Sequence, residues 1–161
     1  MLPLFHYNWQ IRDEWLKWCE QFDQEELLKK RVGGMQSILH TLFHIIDVEY
    51  SWIGAIIGEE EEGPQFSDYQ ALESVKELSF RYRKVLEPML EQKLPKLLRG
   101  EVKPAWSIET YSNEEVMYHV LTHEIHHMGQ LAVWARELNI KPISVNFIDR
   151  NLIHLRPHIR V

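Results

Sequence analysis

Apolar residues recur at helical spacing in four long stretches of this chain, and strand-type alternation is weak throughout. Each such helix has one apolar stripe to bury, and packing the stripes against one another gives a helical bundle. The first stretch covers about Leu4 to Phe22, with Leu4, Ile11, Trp15, Trp18 and Phe22 on one side and Pro3 suited to a helix start. The second begins near Met35, after Gly33-Gly34, and runs to about Ile57, where Gly58 can supply a left-handed C-terminal residue. The third opens at Ser67, where Ser67-x-x-Gln70 fits a capping box, and continues toward Gln92, kinked or shortened at Pro88. A connector with Gly and Pro punctuation leads to a second capping box, Ser112-x-x-Glu115, and the longest helix, about Asn113 to Leu138, closed off by Pro142. The tail "ISVNFIDRNLI" reads as a short fifth helix. The expected fold is all-α: an antiparallel four-helix bundle with a crossover and a short C-terminal helix, one domain over residues 1–161.

Composition narrows the function. A formal net charge of −6 argues against non-specific nucleic-acid binding, which needs a basic face for the phosphates. The single Cys19 excludes an intrachain disulfide and a Cys-rich zinc cluster, so any metal must be held by imidazole and carboxylate. No stretch approaches the roughly 18 apolar residues of a membrane span, and the N-terminus lacks a signal-peptide pattern; a soluble cytoplasmic protein is the default expectation. The acidic run Glu59 to Glu62, ahead of Gly63-Pro64, reads as a solvated loop.

The histidines carry the chemistry. On the fourth long helix His119, His123 and His127 follow one another at four-residue intervals, and on the second His40 and His44 repeat that interval. At 3.6 residues per turn such neighbours share a face and can point at a common centre. Two imidazoles hold a metal loosely, and a third from a facing helix closes the set; His44, amid Leu42, Ile45 and Val48, is placed to supply it. The candidate metal ligands are therefore His44, His123 and His127, around a divalent ion such as Zn or Ni with positions left for water or substrate. A lone core histidine is usually just hydrogen-bonded, but i,i+4 pairs on two helices leave many ring nitrogens to satisfy at once. His40, His119 and His126 read as supporting or surface residues, and His6, His154 and His158 carry no pattern.

The literal H-E-x-x-H at His123-Glu124-Ile125-His126-His127 is not a protease signature. Such proteases bring a third ligand back from beyond the helix, whereas here two further helical turns follow and Glu137 lies about 15 Å along the axis from His127. Glu124 points about 100° away from His123, so it reads as solvent-facing or supporting as readily as a base. Asp47 and Glu49 are candidates to accept a ring proton from a site histidine, with surface salt bridging as the other reading, and Gln130 can hydrogen-bond near the site.

Three stretches resemble the DinB family, related to the YfiT-like metal-dependent hydrolases. "SILHTLFHIIDVEYSWI", Ser37 to Ile53, is similar to that family's second-helix motif. "HVLTHEIHHMGQLAVWAREL", His119 to Leu138, resembles its fourth-helix motif, in which a His-x-x-x-His pair precedes Gly-Gln, and "FHYNWQIRDEWL" resembles its opening helix. The resemblance implies a four-helix bundle with a divalent metal on three histidines, which fall on His44, His123 and His127. It also implies a homodimer and, from some relatives, transfer of low-molecular-weight thiols such as bacillithiol or mycothiol. One departure is Met128, where the family often has a basic residue before Gly-Gln; if that residue contacts an anionic substrate in relatives, the contact is lost here. The expected function is a metal-dependent enzyme activating a thiol or a water toward a small-molecule substrate, as a thiol S-transferase or a hydrolase. The alternatives are a non-catalytic metal-binding protein linked to stress and a purely structural dimeric bundle.

Overall fold

The computed structural model describes residues 1–59 and 63–153. Four long helices form the frame: α1 (Leu2–Cys19), α3 (Ile38–Ile57), α4 (Leu72–Leu97) and α5 (Asn113–Glu137). A short α2 (Gln24–Leu28) follows α1, and a two-residue hairpin, β1 (Glu101–Val102) against β2 (Tyr111–Ser112), precedes α5. The all-α bundle expected from periodicity is thus present. Around it α1 packs on α4 and α5, and α3 packs on the same two.

Pairings along the helices fix their directions. His44 meets His123 while Trp52 meets His119, so α3 and α5 run oppositely. Asp13 meets Arg83 while Glu20 meets Lys76, so α1 and α4 do too. The crossover between α3 and α4 returns to the start of α3, where Phe66 stacks on His40 at 3.9 Å and Tyr69 lies against Phe43. Consequently α4 runs alongside α3 in the same sense, and the order is up, down, down, up.

The starts and stops are local chemistry. Ser37 caps α3, its Oγ accepting from the His40 amide, and Gly58 ends that helix at φ 74°. Ser112 caps α5 by accepting from the Glu115 amide, as its capping box requires. The start expected near Met35 is displaced because Gly33, Gly34 and Gln36 all have positive φ, a turn that no helix can include. Ser67-x-x-Gln70 does not cap α4: Ser67 sits in the single 3-10 turn Phe66–Asp68, and Gln70 donates to the Phe66 carbonyl instead. Nor does proline shorten α4, which passes through both Pro88 and Pro95. The break after α1 comes at Cys19, where Asp23 starts α2 by accepting from the Glu26 amide.

The short fifth helix expected over 143–153 is not formed. That segment is an irregular strap whose Ile143, Phe147 and Leu152 pack on the core. It is held by tertiary partners rather than by its own turns: the Tyr7 hydroxyl donates to the Val145 carbonyl and Arg150 pairs with Glu14, while just ahead of it the Trp18 indole donates to the Lys141 carbonyl. His154 and His158 lie outside the described residues, as do Glu60 to Glu62 of the acidic run.

The core is in two parts. One apolar cluster gathers Ile11, Trp15, Leu39, Leu42, Ile46, Leu78, Met128 and Leu131; the other gathers Phe5, Trp9, Ile53, Leu86, Leu90, Val116 and Leu121. Between their levels on α1, α3 and α5 stand Arg12, Glu49 and Glu124, all fully buried. No helix among the described residues is long and apolar enough to cross a membrane.

Candidate metal centre

Helical pitch brings His123 and His127 one turn apart on α5, and the antiparallel pairing of α3 carries His44 to them. The Nε2 atoms converge: His44 and His127 each lie 3.2 Å from the Nε2 of His123. The three rings stand edge to face, with centroids 4.5–5.2 Å apart. Ligands at ~2.1 Å in tetrahedral coordination are about 3.4 Å from each other, close to the spacing found here. The donor set therefore fits a divalent ion, and the three candidate ligands are brought to one centre.

Electrostatics agrees with neutral, ligand-ready rings. Burial, with His127 and His40 adding to it, lowers His44 to about 4. Burial, followed by His127, His44, His119 and His126, lowers His123 to about 3. His127 is lowered by burial too, with its Gln130 hydrogen bond opposing. Near neutral pH all three rings carry lone pairs rather than a second proton.

One tautomer is specified by the surroundings. Gln130 Oε1 lies 2.8 Å from His127 Nδ1, and a carbonyl oxygen can only accept, so Nδ1 carries the hydrogen and Nε2 is free to ligate. The Gln130 amide donates in turn to His126 Nε2 at 3.0 Å. Gly34, at φ 51°, brings the 32–36 turn against this pair: a Cβ there would stand 2.8 Å from Gln130 Oε1 and 2.9 Å from the Trp134 ring. Trp134 ties the same turn down by donating to the Val32 carbonyl.

The carboxylates named from sequence have partners of their own. Glu124 is buried, not solvent-facing, and takes a two-pronged contact from Arg12, Nε to Oε1 at 2.8 Å and Nη2 to Oε2 at 2.6 Å. Glu49 is no surface residue either: Arg12 Nη1 donates to its Oε2 at 2.7 Å and the Trp9 indole to its Oε1 at 2.8 Å. All four carboxylate oxygens thus have a donor. Two acids against one guanidinium still leave a surplus of buried negative charge. Burial raises the Glu124 carboxyl above the usual range against the pull of Arg12. Asp47 accepts from the Ser51 hydroxyl at 3.2 Å, and burial raises it. Asn8 is buried with its amide donating to the Leu121 carbonyl, which ties α1 to α5 rather than lining a site.

Among the remaining histidines, His40 stacks on Phe66, exposed His119 leans on Trp52 and His123, and exposed His126 holds Gln130. Arg12 was not singled out in the sequence, yet it is the hub of the buried network. Its signal is there in retrospect: it sits one turn from Asn8 and three residues from Trp15, on the face that α1 buries.

A helical bundle with an imidazole cluster from two facing helices, able to hold a metal ion, is the class that fold and site define. The chain belongs to the DinB family, whose model matches residues 1–153. It is 50% identical over 153 residues to "Uncharacterized protein YizA" of Bacillus subtilis (strain 168), a match covering 94% of this chain and 96% of that protein.

Proposed function

We propose that this protein is a metal-dependent enzyme that activates a small-molecule thiol, with His44, His123 and His127 as the metal ligands. The observation that carries the proposal is the convergence of three imidazoles from two helices, the Nε2 atoms of His44 and His127 each 3.2 Å from that of His123. Three neutral imidazoles leave the full charge of a divalent cation in place, and such a cation lowers the pKa of a thiol or a water near it. Gln130 positions His127, and the low proton affinity of His44 and His123 keeps them available at neutral pH.

A thiol substrate is favoured over water by where the acids are. Glu49 and Glu124 are both engaged by Arg12, so neither is free to take a proton from an attacking water. Thiol transfer needs no such base: the thiol proton passes to solvent, the sulfur lone pair forms the new S–C bond, and the leaving group departs with the electron pair. Hydrolysis is the second reading, with Asp47 as the carboxyl not engaged by Arg12. The homodimer belongs to the same proposal and draws support from the outward row Tyr118, Ile125 and Val133 on α5.

Protein purified without a histidine tag tests this directly. Retained or readily acquired Zn²⁺ or Ni²⁺ is expected, together with conjugation of a low-molecular-weight thiol to an electrophile that stops when the metal is chelated. His123→Ala should abolish metal retention, whereas His126→Ala should largely keep it. No metal and no uptake at neutral pH would leave a structural bundle; a metal-loaded but inert protein would leave a metal binder without catalysis.

A further inference from the structure

We propose a second divalent-cation site on the opposite side of α1, in the cleft between α1 and α4, with His6, Glu87 and Glu91 as its ligands. Glu87 and Glu91 stand one turn apart on α4, and the antiparallel packing of α1 brings His6 to them. One nitrogen and two carboxylate oxygens lie within 4.8 Å of one another, and His6 Nε2 is 3.7 Å from Glu91 Oε1. That distance exceeds a hydrogen bond. The His6 Nε2 atom is nevertheless buried and has no hydrogen-bond partner, a state that costs free energy unless something fills the gap. Two ligands of a single ion stand roughly 3–4 Å apart, and the 3.7 Å between His6 and Glu91 falls in that range.

The surroundings favour a cation. The three residues line a cavity of about 290 Å³ together with Trp9, Gln10 and Arg83. Arg83 does not neutralise the two glutamates outright, because Asp13 takes its Nη1 at 2.7 Å. The Trp9 ring, 5.6 Å from that of His6, limits the imidazole's swing, and Trp9 is itself anchored to buried Glu49. The two sites differ in chemistry. The α3/α5 centre offers three nitrogens, whereas this cleft offers one nitrogen and two hard carboxylate oxygens, a set that suits Mn²⁺ as well as Zn²⁺. The proposal does not depend on the thiol-transfer reading or on occupancy of the three-histidine centre.

Titration of the untagged full chain with Mn²⁺ alone, followed by the loss of the free-ion EPR signal, tests it. His44→Ala/His123→Ala, which lacks the other centre, should bind one Mn²⁺, and adding Glu87→Gln/Glu91→Gln to it should weaken that binding at least tenfold. In the unaltered protein, Mn²⁺ should broaden the NMR ring signals of His6 at substoichiometric addition, a readout that needs no variant. The proposal is overturned if Mn²⁺ binding survives the double glutamine substitution and is lost with the histidine pair. It is equally overturned if the His6 signals stay sharp while the ion is bound.

Discussion

Residues 123 and 124 are neighbours on α5, yet they belong to two polar clusters of opposite character. Glu124 enters a closed network in which Arg12 and Trp9 supply a donor to every carboxylate oxygen of Glu49 and Glu124. His123 enters an open cluster, half-buried, in which its Nε2 faces those of His44 and His127. A 100° turn of the helix separates the two fates. A polar group sunk in a bundle either completes its partners within the protein, and then fixes helix register, or leaves a valence for something outside, and then forms a site.

The sharpest way to break this contrast is to open the closed network. Arg12→Ala leaves two buried carboxylates unpaired and should cost about 3–5 kcal/mol of folding stability, read from denaturant midpoints. Replacing Arg12, Glu49 and Glu124 together with apolar residues of similar size should cost far less, because no charge is then stranded. A mild Arg12→Ala would mean the network does not lock α1, α3 and α5 as described.

A smaller effect is expected at the hydrogen bond that supports the open cluster. Gln130→Ala removes the acceptor that fixes the His127 tautomer and should weaken metal affinity about 10–100-fold, measured by competition with a chromophoric chelator, while the helical signal is kept. Unchanged affinity would show that His127 is oriented by packing alone.

The smallest effect, and the most discriminating, is the pH profile of the metal-free protein. His44 and His123 hold protons less tightly in the native state than at the ordinary value of 6.5, so the unfolded chain takes up protons first as pH falls. Their contribution is therefore intact above 6.5 and is lost progressively down to about 4 for His44 and about 3 for His123. Glu124 acts with the opposite sign. Its native carboxyl is raised above the ordinary 4.5, so the stability it contributes is full below that value and declines as pH rises through the native one. Between about 4.5 and 6.5 the two trends oppose each other, so His44→Ala should flatten the rise of the denaturation midpoint with pH and Glu124→Gln should steepen it. A profile untouched by either substitution would mean that neither cluster titrates as buried.

The sequence by itself determined what is local. Capping at Ser112, the stop at Gly58 and the four-residue histidine intervals are properties of single helices, and helical pitch turns them into faces without outside help. His44, His123 and His127 were legible because both helices carried the interval and a bundle had to bring two faces together. What only the tertiary structure decided was which faces meet and at what level. Arg12 between Glu49 and Glu124, His6 against Glu87 and Glu91, and the strap over α1 all depend on the rotation and register of helices distant in sequence. Those are set by packing the whole core, and no spacing along one helix encodes them. The expected helix over 143–153 failed for the same reason: contacts with Tyr7 and Glu14 outweigh the segment's own preference for turns.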